Sequence, residues 1–320
     1  MKITHLCALA LTAYLFVSHL HADQFGTAGN TFTIDFVTVG NPGNGNDVGA
    51  GGGLYSSPYG GVPYVFQMGV TEVSESMISN ATASGLLNVS ASLSGPDKPA
   101  TNMTWHEAAA FVNWMNTSTG HQAAYNLNSQ VNLLTLWTSA QAWQAGGENL
   151  YRHKDAIYFL PSENEWYKAA FHKNDGVTTN YWDYATASNT IPTAVSSGSA
   201  TGTAVFYNGI NAYSSPASVN AVGGASSYGT RGQNGNVDEM MESAFDSVND
   251  QGNENRAYRG GYWFHTEDAM RSSGRFSRVS SGQSTDVGFR VASVPEPSAT
   301  ILMLGSAVAL LARRRRGSSF

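Results

Sequence analysis

Alternation of apolar and polar residues predicts two strands in the first part of the chain. Over residues 31–39, Phe32, Ile34 and Phe36 fall on one face of an extended segment, with polar residues on the other. A period of two is typical of a strand with one buried face. Residues 62–70 form a second apolar run, for which we also predict a strand.

Helices are predicted where capping residues precede apolar residues at helical spacing. A short helix is predicted to begin within residues 71–74. Thr104 with Glu107, and Ser162 with Glu165, form capping boxes, in which hydroxyl and carboxylate each accept a backbone N–H. The residues predicted to face the core are Ala108, Phe111, Val112 and Met115 in the first of these helices, and Trp166, Ala169 and Ala170 in the second.

Two other segments predict irregular structure. Residues 41–53 are rich in Asn and Gly, and their oxygens could hold calcium, but the spacing and final glutamate of an EF-hand are absent. A surface loop is therefore favoured there. Residues 180–232 show no apolar period, which predicts a long irregular connection. We expect His106 to be exposed in the first turn of its helix, and Ala110 excludes an HExxH zinc motif.

The segment from Arg259 to Val291 combines arginine, glycine and aromatic residues. Its arginines are Arg259, Arg271, Arg275, Arg278 and Arg290. Glycine lets backbones approach closely, and a covered guanidinium needs partners, so this composition favours a pocket or a polar core. For Arg259 and Arg290, which lie in strand-like segments, bonding to the interior is the favoured role.

Composition limits the classes of function. The chain has 320 residues, of which 12% are charged, against about 25% in an ordinary globular domain. Its formal net charge is −6, and an acidic surface argues against a nucleic-acid partner, because phosphate contacts need Lys and Arg. Abundant Gly, Asn, Ser and Thr indicate an exported, loop-rich fold.

The first residues predict a signal peptide. Lys2 precedes an apolar run over residues 8–20, and residues 20–22 form an acceptable cleavage site before Asp23. We therefore assign residues 1–22 to the signal. Cleavage would remove Cys7, the one cysteine of the chain, which excludes disulfides, thiolate ligands and a cysteine nucleophile from the mature protein.

The last residues predict a sorting segment. Pro-Glu-Pro at residues 295–297 precedes an apolar run over residues 299–312 and an arginine cluster at 313–316. This order resembles the PEP-CTERM signal of Gram-negative bacteria, which implies cleavage by an exosortase in cells that make exopolysaccharide. The alternative is an ordinary transmembrane helix, although the run is shorter than the roughly 20 residues that span a bilayer. We assign residues 23–293 to one domain and residues 294–320 to the sorting segment.

Five sequence blocks point to one family. They are Lys98–Trp105, Phe159–Trp166 with its Leu-Pro-Ser-Glu-Asn-Glu-Trp, Gly235–Glu239 with its Gly-Asn-Val, the Arg-Gly-Gly at Arg259–Gly261 and the Gly-Phe-Arg at Gly288–Arg290. In this order they resemble the sulfatase-modifying factor, or formylglycine-generating enzyme, family. The resemblance extends over roughly residues 32–292. It implies one loop-rich α+β domain, an elaboration of the C-type lectin fold with little regular secondary structure.

The resemblance also implies chemistry that this chain departs from. Enzymatic members of the family oxidise a sulfatase cysteine to formylglycine and bind copper(I) through two cysteines after the Arg-Gly-Gly. Those positions correspond here to His265 and Met270, and Tyr262 replaces a serine. Neither replacement supplies a thiolate, the soft ligand that copper(I) prefers. Copper is therefore not expected, and we assign no catalytic residue.

For calcium, in contrast to copper, this chain retains some of the ligand positions that the family resemblance implies. The family would place an ion at the carbonyls of Gly235 and Val237 and the carboxylate of Glu239. Gly232 stands where the family has a further oxygen ligand, which weakens this expectation. Asp238 is an oxygen donor, but strand geometry points it away from that ion.

These observations predict a non-catalytic binding module of the cell envelope or the extracellular space. Its partner would be an exopolysaccharide or a surface protein. The candidate pocket residues are Tyr262, Trp263, His265, Arg271 and Arg275, because aromatic rings stack on sugars and arginines pair with acidic groups. The alternatives are a divergent oxidoreductase acting on a protein or small-molecule thiol through His265, and a purely structural envelope protein.

Overall fold

The computed structural model describes residues 20–48, 58–86, 88–92, 94–128, 133–209 and 214–295. Most of the predicted signal peptide, part of the glycine-rich loop and the sorting segment from residue 296 onward lie outside these ranges. The first described strand includes residues 20–22, which the predicted cleavage would remove. That cleavage and the predicted division of the chain stay predictions.

Short strands and few helices characterise the described ranges. The strands are β1 (Leu20–Phe25), β2 (Phe32–Val39), β3 (Phe66–Gly69), β4 (Asn126–Leu127), β5 (Leu134–Thr135), β6 (Ala142–Trp143), β7 (Asn149–His153), β8 (Tyr158–Phe159), β9 (Thr193–Ala194), β10 (Thr203–Ala204), β11 (Asp238–Ala244), β12 (Asn255–Arg259), β13 (Phe276–Val279), β14 (Val287–Gly288) and β15 (Ala292–Ser293). The helices are α1 (Glu75–Ala83), α2 (Trp105–Ser118), α3 (Glu163–Phe171) and α4 (Glu267–Met270).

Most of the elements predicted from periodicity are present. The strand predicted over residues 31–39 is confirmed as β2, and the run over residues 62–70 contains the shorter strand β3. All the residues predicted to face the core from α2 and α3 are buried. Where residues 180–232 are described, the strands are β9 and β10, each of two residues, and this confirms the predicted irregular connection.

Two sheets organise the domain. The larger has the order β1-β2-β3-β15-β8 and is antiparallel throughout. The second has the order β13-β12-β11-β14, with β14 parallel to β11. Since β14 ends at Gly288 and β15 begins at Ala292, residues 289–291 carry the chain from one sheet to the other.

The main core lies between α2 and the larger sheet. Phe111 packs edge-on against Phe289, with ring centroids 5.8 Å apart, and α2 contacts β8. The core also includes Phe36, Phe66 and Met68 from β2 and β3. Burial of this many apolar side chains is the main favourable term in folding.

His106 corrects one expectation. Its side chain is buried rather than exposed, and its ring packs edge-on against Trp105 at 5.5 Å. Burial, and then the nearby Arg256, lowers the pKa of His106 to about 4, so this histidine is neutral at physiological pH. The first turn of α2 faces β12 rather than solvent, which helical periodicity alone does not reveal.

All three longer helices begin with a side-chain cap. In α2, Thr104 Oγ1 accepts a hydrogen bond from Glu107 N at 3.1 Å, and Glu107 Oε2 accepts one from Thr104 N at 2.8 Å. In α3, Ser162 and Glu165 form the same capping box. Both predicted capping boxes are confirmed.

Thr104→Ala is expected to lower the free energy of unfolding by about 1 kcal/mol, because the backbone N–H of Glu107 loses its acceptor. Thr117→Ala, the same chemical change at an exposed position of α2, is the control and is expected to change it by less than about 0.5 kcal/mol. Urea unfolding measures both. Equal effects of the two changes would contradict the role of the cap.

Candidate functional site

Arginines of the segment 259–291 are built into the interior. Glu163, in the first turn of α3, bonds both Arg259 and Arg275, each Nε lying 2.7 Å from Oε1. Arg259 also donates to the carbonyls of Ser272 and Gly274. Internal bonding of Arg259, as predicted, is confirmed.

Arg275 is placed differently from the prediction. It was expected to line a pocket, but its guanidinium is buried and donates to both oxygens of Glu163 and to the carbonyl of Phe245. A guanidinium with this many protein partners is a structural element of the core. Arg271 is half-exposed and pairs at 3.4 Å with the exposed Asp268. Arg271 therefore stays accessible, beside the ring of Tyr184.

Arg290 forms the most completely buried ion pair in the segment. Its Nε and Nη2 each lie 2.5 Å from an oxygen of Glu239, and both side chains are fully buried. The same guanidinium donates to the carbonyls of Gly69, Val70 and Arg231. This confirms the predicted interior role of Arg290.

Around the Arg-Gly-Gly turn, aromatic rings contact one another at the surface. We call Tyr207, Tyr258, Tyr262, Trp263, Phe264, His265 and Phe276 the aromatic strip. Its ring contacts are Trp263–Tyr262 at 5.2 Å, Tyr262–His265 at 4.0 Å, His265–Phe276 at 5.5 Å, Phe276–Tyr258 at 5.5 Å and Tyr207–Phe264 at 5.4 Å. Phe264 is 52% exposed, and the other members are partly buried. The strip therefore unites three of the predicted pocket residues, Tyr262, Trp263 and His265.

A buried carboxylate lies beneath the strip. Asp238 Oδ1 accepts a hydrogen bond from Gly261 N at 2.9 Å, and Oδ2 lies 3.6 Å from Nδ1 of His265. Burial, together with nearby Asp286, raises the pKa of Asp238 well above its usual range, and burial lowers the pKa of His265. Both shifts favour the neutral forms. His265 Nδ1 therefore faces a carboxyl group, although it makes no hydrogen bond within the described ranges.

Sequence reasoning missed several of these contacts. Asp238 was judged only as a calcium donor, whereas alternation along β11 turns it away from Glu239 and toward His265. Phe276 and Tyr258 pair across β12 and β13, and that register cannot be read from either strand alone. The three consecutive aromatic residues Tyr262, Trp263 and Phe264, directly after the Arg-Gly-Gly, are the sequence signal for an exposed aromatic surface.

Residues 62–294 match the sulfatase-modifying factor enzyme 1-like domain family, and residues 293–316 match the PEP-CTERM protein-sorting motif. The first match extends over more than half of the chain. The chain belongs to the sulfatase-modifying factor family. No curated protein sequence matches it significantly.

Solved structures of the same fold have low sequence identity. Treponema denticola variable protein 1 is 18% identical, with a TM-score of 0.56 over 86% of this chain and 99% of that protein. The protein CarF is also 18% identical, with a TM-score of 0.55 over 82% and 99% of the two chains. PvdO from Pseudomonas aeruginosa is 13% identical, with a TM-score of 0.53 over 85% and 98%. These likenesses confirm the loop-rich α+β fold.

The sorting motif makes this an exported protein of the cell envelope, anchored at its C-terminus before exosortase-type processing. Among the described residues, no helix is long and apolar enough to cross a membrane. The predicted apolar run at 299–312 lies outside them. A transmembrane helix there therefore stays a prediction.

The two residues that the family resemblance places at cysteine positions, His265 and Met270, lie in different surroundings. His265 lies at the surface, with its side chain 30% exposed. Met270 is fully buried and packs with Tyr184, Ala204 and Phe206. A soft copper site needs both side chains to face one ion, and Met270 is instead a packed core residue. These residues do not fit a copper centre.

The predicted calcium ligands are engaged with protein groups. Both oxygens of Glu239 bond Arg290, and Oε2 also accepts from Nε1 of Trp166 at 2.8 Å. Calcium takes six to eight oxygen ligands, and a guanidinium already neutralises this carboxylate. No group of three His, Cys, Asp or Glu side chains suited to a metal occurs in the described part of the chain. Calcium at Gly235, Val237 and Glu239 stays a prediction that these contacts do not favour.

Glu72 was missed entirely by sequence reasoning. Its buried carboxylate lies against Gly232, where an added Cβ would be 2.5 Å from Oε1. Oε1 accepts from Asn236 at 2.8 Å, whereas Oε2 has no hydrogen bond within the described ranges. Burial, and then the charge of Glu239, raises the pKa of Glu72 to about 7. The carboxyl group of Glu72 is therefore about half protonated near pH 7.

Arg275→Met is expected to lower the free energy of unfolding by at least about 2 kcal/mol, because a buried carboxylate loses one of its two cations. Arg271→Met, the same change at the half-exposed arginine, is expected to cost less than about 0.5 kcal/mol. Urea unfolding of both variants is the measurement. If the Arg275→Met protein were as stable as the wild type, the stabilising role of the buried Arg275 would be refuted.

Glu72→Gln is expected to flatten the pH dependence of stability. In the folded protein the pKa of Glu72 is about 7, above its ordinary value near 4.5, so wild-type stability falls as pH rises through this interval. The variant has no such proton, and its loss of stability between pH values of about 5 and 8 should be smaller by up to about 3 kcal/mol. Asp35→Asn, at an exposed carboxyl group, is the control. If the free energy of unfolding of the wild type and of Glu72→Gln changed with pH in the same way, the raised pKa of Glu72 would be refuted.

Proposed function

We propose that this exported protein is a non-catalytic binding module whose aromatic strip receives an exopolysaccharide. The proposal rests on the continuous series of ring contacts that runs from Trp263 through Tyr262, His265 and Phe276 to Tyr258. Rings that already support one another lose little conformational freedom when a ligand stacks on them. Such a surface is built before binding.

The chemistry of the strip suits sugars. Aromatic faces pack against the C–H faces of sugar rings, and tyrosine hydroxyl groups stay available for hydrogen bonds. Asp286 lies close enough to Tyr262 and His265 to act on the pKa of both. It supplies a carboxyl group that can accept from sugar hydroxyls. A surface protein is the second partner class, because Tyr and Trp are also enriched at protein interfaces.

Two features support a role in binding rather than oxidation. Met270 is packed in the core, and His265 is left without the second ligand that a copper centre would need. This arrangement does not favour the alternative of a divergent oxidoreductase that acts through His265. Processing at the cell envelope, in a Gram-negative host, would bring the strip into contact with the polysaccharide.

The test is binding of the purified exported protein to exopolysaccharide and to a glycan array. Phe264→Ala is expected to weaken binding about five- to tenfold, because the most exposed ring of the strip is lost. Ile191→Ala removes an exposed apolar side chain outside the strip and is the matched control.

Unchanged binding by Phe264→Ala and by a Trp263→Ala variant would overturn the strip as the binding surface. Binding to an envelope protein but to no glycan would assign the strip to the second partner class. Binding to neither would remove the proposed function and favour a structural envelope protein.

A further inference from the structure

A concave site lies near the end of β11 that is remote from Asp238 and the aromatic strip. This cavity of about 200 Å³ has room for roughly six water molecules. We call it the Trp143 pocket. The side chains that matter for its chemistry are Tyr64, Trp143, Arg152, Ser162, Asn164 and Ser243.

One wall of the pocket is aromatic and held in place. The rings of Tyr64 and Trp143 meet edge-on at 5.3 Å. Trp143 Nε1 donates to the carbonyl of Ala145 at 2.8 Å, and Tyr64 donates to Glu165 at 2.7 Å. Gly146, with a φ of +84°, turns the β6–β7 hairpin so that it passes close to Pro63. The wall therefore exists before any ligand arrives.

Three further side chains of the lining, Ser162, Asn164 and Ser243, offer hydrogen-bond donors. Ser162 Oγ accepts from Glu165 N, and Ser243 Oγ accepts from Glu163 N. Neither hydroxyl donates to another group in the described part of the chain. Asn164 Oδ1 accepts from Gly60 N at 3.0 Å, and its amide nitrogen has no acceptor among the described residues. Two hydroxyl groups and one amide can thus donate to a ligand.

Charge selects against an acidic ligand. Arg152, at the base of the pocket, is neutralised by two carboxylates, since it bonds both Glu165 and Glu242. This trio therefore carries no net positive charge, and the exposed Glu148 adds a carboxylate to the lining. Donors without a free cation suit hydroxyl and ring oxygens better than carboxylate or phosphate.

The geometry points to a binding site for one neutral saccharide unit in the Trp143 pocket. Its volume admits a single sugar ring, its aromatic wall packs on the ring, and its donors meet the sugar oxygens. The site is independent of the aromatic strip. Ser243 and Asp238 are at opposite ends of β11, roughly 17 Å apart at the rise of a strand.

The experiment titrates the purified protein with neutral monosaccharides and monitors heat and tryptophan fluorescence. We expect binding in the millimolar range, as is reasonable for one small ring in a shallow pocket. Trp143→Phe should remove the fluorescence response while calorimetric binding is kept in weakened form. Asn164→Asp should weaken binding at least about fivefold, because it keeps the acceptor for Gly60 but exchanges the donor for a charge.

Ile191→Ala, at an exposed apolar residue outside both the pocket and the aromatic strip, should leave this titration unchanged. The fluorescence response of Trp143 separates this inference from the proposed function, because Trp143 lines the pocket and is not part of the strip. No heat from any neutral sugar, stronger binding of glucuronate than of glucose, or wild-type affinity in a folded Asn164→Asp protein would each overturn the assignment.

Discussion

The pairing of Arg290 with Glu239 is the interaction on which the arrangement of this domain depends. Arg290 stands where the chain leaves the second sheet and enters the first, and it also bonds carbonyls at the end of β3. Glu239 lies on β11 and holds Trp166 of α3. One ion pair therefore links two sheets and a helix. Its burial is costly, and the several hydrogen bonds to each partner offset that cost.

Buried arginine–glutamate ion pairs occur at both ends of the segment 259–291. Glu163 of α3 fixes Arg259 and Arg275, as Glu239 fixes Arg290. These ion pairs fix the segment through residues outside the turn that carries Tyr262, Trp263 and His265. The resemblance to the sulfatase-modifying factor family assigns its two cysteine positions to His265 and Met270, and neither residue takes part in these pairs. The scaffold and the chemistry of the family are separable.

Sequence patterns of a few residues predict the helices and strands of this chain. They do not predict which residues distant in sequence contact each other. Periodicity and capping located β2, α2 and α3 because these signals act over a few residues. The interior roles of Arg259 and Arg290 were also predicted, since both lie in strand-like segments. Arg275 and His106 were judged by their neighbours in sequence, but Glu163 and Arg256, remote in sequence, decide their surroundings. The contact of Asp238 with His265 likewise depends on how distant strands meet.

Sequence separation gives the buried ion pairs a kinetic consequence. Glu163 and Arg275 are 112 residues apart, Glu242 and Arg152 are 90 apart, and Glu239 and Arg290 are 51 apart. The capped helices can form early, but these pairs must wait for large loops to close. Until these pairs form, the arginine and glutamate side chains that will be buried are unpaired charges, which are more stable in water than in an apolar interior. We therefore expect a partly folded chain to stay hydrated, and collapse of this interior to coincide with correct pairing of its charges late in folding.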